Sequence, residues 1–474
     1  MTNSPHPASV QLLFDAQHRA SRAEVVVPQA LRRARLLKIR GLLDQHGPAL
    51  AAAVQADFGV RSLQLTEIAD LLVLRSLLSR LLKNLARWMQ PVKVATPLYL
   101  QPARAYLQRQ PLGVVGVISP WNYPVQLALG PVITALAAGN RVMLKPSELT
   151  PRTSGLLADL LGQAFAADEV CVVLGDGNVA AEFASLPFDH LFFTGSTAVG
   201  RKVAEAAAAN LTPTTLELGG KSPCIIDPSC NLADAALKIA HGKLLNAGQT
   251  CIAPDYVLLP SGSEAAFAEA YAQAVATLFP ATVGNPDYAA IISPRHYERL
   301  QALLAEAKAQ GARLQPVGTA APNAAAGSRQ MEPVLVFDLP PGARLLQEEI
   351  FGPILPVLAY QSVEEAIAYV NARPRPLALY WFGRDRAVQD AVLARTVCGG
   401  VTVNDTLMHI AHPNLPFGGI GESGWGAYHG EAGFLRLTHQ KPVLVQSRWA
   451  RGDLFYPPYG RRFGQVMGLV KKLL

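Results

Sequence analysis

Cysteine is scarce in this 474-residue chain. There are five, Cys171, Cys224, Cys230, Cys251 and Cys398, too few for a disulfide framework. No CxxC pair or Cys/His cluster with zinc spacing occurs, so no metal site is expected. Charge is sparse too, at 16% of residues against 50% hydrophobic, which excludes a largely disordered chain. The first twenty residues lack a continuous apolar stretch, so no secretory signal is expected. A membrane-spanning helix is not expected either. The uncharged stretch from Gln110 to Asn140 carries Pro111, Pro120, Pro124 and Pro131, and a spanning helix rarely holds so many breaks. Internal repeats are absent. The expectation is a soluble, cytoplasmic protein in a reducing compartment.

The net charge is +7, but it is unevenly placed. The segment from Lys441 to Leu474 holds seven basic residues and one acid, Asp453, and so carries +6, leaving +1 for residues 1–440. A nearly neutral body argues against a nucleic-acid groove. The basic tail reads as a solvated end, a subunit clasp or a weak contact with anionic lipid.

The length predicts two or three domains. Residues 8–90 show helical periodicity, notably SLQLTEIADLLVLRSLLSRLLKNLARWM. After Pro91, Val92 to Gln110 holds β-prone pieces. Strands and helices then alternate. VVGVISP, RVMLKPS, VCVVLG, HLFFTG and TTLELGG read as strands, with helices over 125–138, from Pro151 and over about 199–210. The series predicts an α/β fold with a mostly parallel sheet. A second α/β stretch follows from about Lys221 to Glu422, with helices over 263–278 and 295–310. Its strands include VLVFDL and GGVTVN. PNAAAGSRQ and LPPG read as surface loops, and RRFGQVMGLVKKLL as a short helix.

Six segments could carry chemistry, and each has a plainer alternative. FTGSTAVG joins a strand to a helix start, where backbone N–H groups and the helix dipole can face a pyrophosphate. An ordinary strand–helix turn explains it equally well. KPSE places Lys145 and Glu148 beyond a strand end, where ligands of open parallel sheets bind. A solvated loop charge pair is the alternative. In NAGQTCIAPD, Cys251 sits among small and polar neighbours, suited to a thiolate nucleophile, although most lone cysteines are inert. In LELGGKSP, Glu217 among apolar residues would have a raised pKa useful to a general base. A Glu217–Lys221 pair is the alternative. In SPWNYP, the Asn122 amide could donate to an oxyanion or only shape a turn. In QEEIFGP, Glu349 and Phe351 could hold a nicotinamide ribose and ring, or be a loop Glu and a core Phe.

Taken together, SPWNYP, KPSE, FTGSTAVG, LELGGKSP, NAGQTCIAPD, QEEIFGP and LPFGGIGESGWGAYHG resemble the aldehyde dehydrogenase superfamily in its chain order. NAGQTCIAPDY and GAYHG are similar to its class 3 branch. The FYPPYG tail resembles bacterial coniferyl aldehyde dehydrogenases. The resemblance implies a Rossmann-like cofactor domain (1–92 and 110–219), a catalytic domain (220–423), and bridging, oligomerising strands (93–109 and 424–447) before the tail (448–474). It implies Cys251 as nucleophile, Asn122 with the Cys251 N–H as oxyanion hole, and Glu217 as base for the hydrolytic water. Lys145 and Glu148 would hold the adenine-side ribose. Gly195, Ser196 and Gly200 would form the pyrophosphate turn, and Glu349 and Phe351 would hold the nicotinamide side. Tyr123, Ile410, Phe417 and His429 are pocket candidates. Glu422 and Trp425 stand where relatives often carry other residues.

The expected activity is NAD-dependent oxidation of an aldehyde, with NADP as a second possible cofactor. The substrate would be aromatic, such as coniferaldehyde, or medium-chain aliphatic, and the enzyme a homodimer. An acylating, coenzyme A-dependent dehydrogenase, a non-catalytic protein on the same fold and a cysteine hydrolase are the alternatives.

Overall fold

The computed structural model describes residues 7–321, 328–450 and 452–473. Residues 322–327 of the PNAAAGSRQ loop, and Arg451 and Leu474 of the tail, lie outside the described residues.

Three sheets organise the chain. The first has six strands, in the order Gly424–Trp425, Thr214–Glu217, His190–Thr194, Val114–Ile118, Arg141–Lys145, Val170–Val172. Five are parallel, and only Gly424–Trp425 runs antiparallel, along Thr214–Glu217. All residues of the three central strands are buried, which is why they read as unbroken apolar runs. Successive side chains point to opposite faces. Val115, Val117 and Phe192 pack under helices Gln29–Phe58 and Gln126–Ala138. Val114, Ile118, Leu191, Phe193 and Leu216 pack on the other face, against Phe14, Phe183 and Val203. Glu217 follows Leu216, so its carboxyl emerges on the Phe192 face.

The second sheet has seven strands, ordered Arg313–Pro316, Val334–Phe337, Ile354–Tyr360, Tyr256–Pro260, Pro223–Ile226, Ala378–Phe382, Gly400–Val403. All but the edge strand Arg313–Pro316 are parallel. The third sheet is a small antiparallel one of Val92–Val94, Arg104–Pro111 and Thr438–Val445. The α/β expectation is met, with helices Glu264–Leu278 and Pro294–Ala309 close to their expected places. The tail segment RRFGQVMGLVKKLL forms the helix Arg461–Leu473. Among the described residues, no helix is long and apolar enough to cross a membrane.

Two segments differ from the sequence reading. The segment SLQLTEIADLLVLRSLLSRLLKNLARWM is helical as expected, but not uniformly α-helical. A short helix, Leu63–Thr66, passes through a π-helical stretch, Glu67–Leu72, before Val73–Trp88. The wide stretch carries the fully buried Asp70. The strands expected over 424–447 are not all in the small sheet. Gly424–Trp425 pairs with the Glu217 strand, Gly430–Arg436 is helical, and Thr438–Val445 alone joins the three-stranded sheet. Gly424 has φ +121°, and a Cβ there would lie 1.9 Å from the Leu216 carbonyl oxygen. Only glycine allows that approach.

Gly424→Ala should therefore detach this edge strand from Glu217. A loss of at least about 2 kcal/mol is expected from strain and overpacking, read as a lower urea midpoint than that of the parent protein.

Candidate active site

Cys251 follows a tight turn. Asn246, Ala247 and Gly248 all have left-handed backbones, with φ of 52°, 53° and 76°. Two of these are non-glycine residues, a strained arrangement that persists only where its surroundings hold it. Two buried amides do so. Gln249 Nε2 donates to the carbonyls of Asn246 (2.9 Å) and Ala290 (3.0 Å), while its Oε1 accepts from Ile292 N at 2.9 Å. Asn246 Nδ2 donates to the Asn122 and Gln249 carbonyls at 3.0 and 3.3 Å. The half-buried thiol faces the backbone N–H groups of Cys251 and Ile252.

The Asn122 loop is tied to the same turn. Asn122 Nδ2 donates to the Gln249 carbonyl at 3.2 Å, which leaves its second N–H free. Its own carbonyl accepts from Arg61 Nη1 at 2.6 Å, and the same nitrogen reaches Asn246 Oδ1 at 3.3 Å. Arg61 is paired with Asp70 at 2.9 Å, both side chains being wholly buried. Asp70 Oδ1 in turn accepts from Val125 N and Gln126 N, where helix Gln126–Ala138 begins. Tyr123 packs its ring under the Arg61 guanidinium, and its hydroxyl bonds Thr250 at 2.6 Å.

Glu217 is buried, and neither of its oxygens has a hydrogen-bond partner. Burial pushes its carboxyl well above the usual range. The alternative Glu217–Lys221 pair is not made. Lys221 Nζ instead pairs with Asp255 and donates to the carbonyls of Leu345 (2.8 Å) and Glu348 (2.9 Å). Asp255 also accepts from Ile350 N at 3.0 Å. This clamp presses Glu349 against Gly219, where a Cβ would lie 2.0 Å from its Oε2. Burial lifts Glu349 to about 8, and Gly220 N–H partly opposes the shift. Glu349 Oε1 has no partner. Burial, followed by the nearby Glu349 and Glu217, pushes the Cys251 thiol up to about 12. One enclosure thus holds a thiol, an amide with a spare N–H and two carboxyls with unused oxygens. That set suits attack on a carbonyl followed by hydrolysis.

The aldehyde dehydrogenase family profile matches residues 6–443. The chain belongs to the aldehyde dehydrogenase family. It is 48% identical to a probable coniferyl aldehyde dehydrogenase of Pseudomonas aeruginosa, over 98% of this chain and 96% of that protein. It is 45% identical to a coniferyl aldehyde dehydrogenase of a Pseudomonas species, over 99% and 97%. A solved structure of Staphylococcus aureus AldH in a substrate-bound state superposes with a TM-score of 0.91 at 36% identity, covering 97% of this chain and 99% of that one. As an aldehyde dehydrogenase, the protein is an NAD(P)-dependent oxidoreductase of aldehydes.

In this dehydrogenase, the remaining flagged residues fall into two groups. Lys145 ends a central strand, is buried, and donates to Glu148 Oε2 at 2.9 Å, with Glu148 half exposed. Gly195 donates its N–H to the Glu217 carbonyl at 3.0 Å, and Ser196 caps helix Thr197–Ala208 through Val199 N. Gly200 lies in the first turns of that helix against Leu218. Phe351, with φ 51°, packs edge-on against Trp121 at 5.4 Å. All of these but Phe351 lie at or just beyond the carboxyl ends of the parallel strands or in the helix turn that follows. The unused buried Glu349 oxygen and the half-exposed Glu148 fit the hydroxyls of a dinucleotide.

The second group concerns the pocket. Ile410 and His429 line a cleft with Val73, Leu77, Gln126 and Pro413. Phe417 is buried and stacked on His429 at 5.6 Å, whereas Tyr123 is buried against Arg61 and Thr250. His429 is buried, which holds its imidazole below the usual range, to about 4. Trp425 Nε1 donates to Thr214 Oγ1 at 2.9 Å, in the edge strand beside Glu217. The Glu422 carbonyl accepts from Thr197 Oγ1 at 3.2 Å. Among the described residues, no group of three His, Cys, Asp or Glu side chains is arranged to hold a metal.

The sequence reading did not single out Arg61, Asp70, Asn246, Gln249 or Asp255. The last three lie inside motifs already noted, as polar residues flanking Cys251. Arg61 and Asp70 carry no local signal of burial.

Glu217 carries a testable stability signature. Its folded carboxyl titrates above the unfolded one, so the stability it contributes is present at low pH and is lost as pH rises. Glu217→Gln should be more resistant to urea than the parent, with a gap that widens from about pH 5 to about pH 8. A constant gap would contradict the burial of an ionisable group there.

Proposed function

We propose that this dehydrogenase oxidises an aromatic aldehyde such as coniferaldehyde, or a medium-chain aliphatic one, to its carboxylic acid. Cys251 gives up its thiol proton to solvent, and the thiolate attacks the aldehyde carbon. The spare Asn122 N–H and the Cys251 backbone N–H meet the oxyanion of the resulting thiohemiacetal. A bound nicotinamide cofactor would supply the hydride acceptor, and loss of the hydride would leave a thioester on Cys251. Glu217 takes a proton from water, the water oxygen attacks the thioester carbon, and Cys251 leaves as thiolate. The observation that carries this reading is Glu217, a buried carboxyl with both oxygens unused beside the thiol whose titration it influences. Losing one oxyanion donor costs roughly 2.7–4 kcal/mol of transition-state stabilisation.

Glu217 also favours water over coenzyme A as acyl acceptor, because acyl transfer to a thiol needs no such base. Lys145, Glu148, Gly195, Ser196 and Gly200 would hold the adenosine and pyrophosphate. Glu349 and Phe351 would hold the nicotinamide side. The Glu148 carboxylate favours NAD, because it would repel a 2′-phosphate. The coniferyl substrate is suggested by the names of the two Pseudomonas relatives.

A homodimer is supported by the small sheet, which exposes Val92, Val94, Leu444 and Val445. Our reading puts the tail at that contact, because Trp449, Tyr456 and Tyr459 are exposed beside it in sequence. Weak contact of the basic helix with a lipid surface is the alternative role. A cytoplasmic location remains part of the same reading.

Cys251→Ala should abolish NADH formation with coniferaldehyde, benzaldehyde and alkanals alike. Undiminished NADH formation would contradict the nucleophile assignment. Glu217→Gln should give one burst of NADH per site followed by slow turnover, whereas unchanged steady turnover would remove the base assignment. Because burial holds the resting thiol at about 12, iodoacetamide labelling of Cys251 in the ligand-free protein should accelerate about tenfold per pH unit. The labelling should reach no plateau below about pH 10.

A further inference from the structure

Buried polar atoms without partners are destabilising, so a group of them in one place calls for a reason. Glu217 Oε1 and Oε2, Thr194 Oγ1 and the Tyr428 hydroxyl all lack partners. They lie on one face of the first sheet. Thr194 is the register partner of Glu217, and Phe192 stands two residues before it, on the same face of that strand. The Tyr428 ring packs edge-on against Phe192, with centroids 5.0 Å apart.

The Tyr428 backbone is fixed as well. Tyr428 and Phe417 exchange two backbone hydrogen bonds, both 2.8 Å. Gly418, next in chain, passes so close that a Cβ there would lie 3.1 Å from Glu217 Oε1. Burial chiefly raises the phenol, Glu217 and Cys251 add to the shift, and the neighbouring Gln126 amide partly opposes it, so the hydroxyl stays protonated well beyond neutral pH. The hydroxyl is thus a neutral buried group on the Glu217 side of the sheet, with the Gln126 amide nearby and no partner within hydrogen-bond distance.

We infer that the Tyr428 hydroxyl is a second anchor for the hydrolytic water, acting beside Glu217 in the deacylation half of the cycle. The inference rests on the assignment of Cys251 and Glu217 above. One water proton faces Glu217, the other is donated to the Tyr428 oxygen, and a lone pair faces the thioester carbon. The C–O bond forms as the first proton passes to Glu217. The C–S bond then breaks and releases the Cys251 thiolate. Tyr428 neither gains nor loses a proton, so its contribution is orientation.

The test is Tyr428→Phe in the full chain, which removes one oxygen that has no partner. Its melting temperature should equal or exceed that of the parent. Single-turnover NADH formation should keep the parent rate. The lifetime of the acyl group on Cys251, followed by rapid quench and intact mass, should lengthen about tenfold, the effect of one lost orienting hydrogen bond. Hydroxylamine as an alternative acyl acceptor should restore turnover. An acyl lifetime equal to that of the parent would overturn the inference, as would an equal slowing of NADH formation, which marks a merely structural role. Glu217→Gln run in parallel separates the two readings. If it deacylates normally, the underlying base assignment fails. If it stalls while Tyr428→Phe does not, only the Tyr428 inference fails.

Discussion

The wholly buried Arg61–Asp70 ion pair is the constraint on which the site depends. Two charges leave water only if geometry and further hydrogen bonds compensate. Here burial acts against both charges, lowering the Arg61 pKa and raising that of Asp70, and their attraction opposes it. The extra bonds are where the function enters. Arg61 reaches the Asn122 carbonyl and the Asn246 side chain, so one guanidinium joins the oxyanion loop to the nucleophile turn. Asp70 caps the helix that leaves the Asn122 loop. Phe58 and Tyr123 flank the guanidinium at 4.8 and 5.1 Å. A substitution at either charge would loosen both loops at once.

A second clamp mirrors the first. Lys221 and Asp255 come from the glycine-rich Glu217 segment and the Cys251 segment, and together they hold the Glu349 loop. Two ion pairs thus position three loops, while both Glu217 oxygens and one Glu349 oxygen are left without partners. The same enclosure raises both Glu217 and Cys251, with different consequences. It lifts Glu217 toward a useful base, and it keeps the resting Cys251 a thiol. Attack therefore requires the thiol to lose its proton in a site that disfavours the charge, with its own N–H and that of Ile252 as the nearest compensation.

Much of this was legible in the sequence, for physical reasons. Strands buried on both faces read as unbroken apolar runs, so VVGVI and HLFFT were recognisable as central strands. Glu217, Cys251 and Asn122 stood out because a carboxyl, a thiol and an amide sat among small or apolar neighbours. The positioning groups were not legible. Arg61 precedes the helical segment and Asp70 lies nine residues on, within its π-helical stretch, and no local pattern marks either as buried. Gly424–Trp425 was grouped with the bridging strands, because a two-residue edge strand has no periodicity to read. Tyr428 lay inside a motif already quoted, yet its unused hydroxyl is a property of packing, which no local pattern reports.

The central claim is that a buried ion pair holds the oxyanion donor and the nucleophile in register. Asp70→Asn tests it most directly, since it keeps the shape and removes the charge. The measurement is the single-turnover rate of NADH formation with saturating aldehyde, on protein shown by circular dichroism to be folded. The account predicts a rate at least about tenfold below that of the parent, the equivalent of about 1.4 kcal/mol of lost transition-state stabilisation. A rate equal to that of the parent would contradict it.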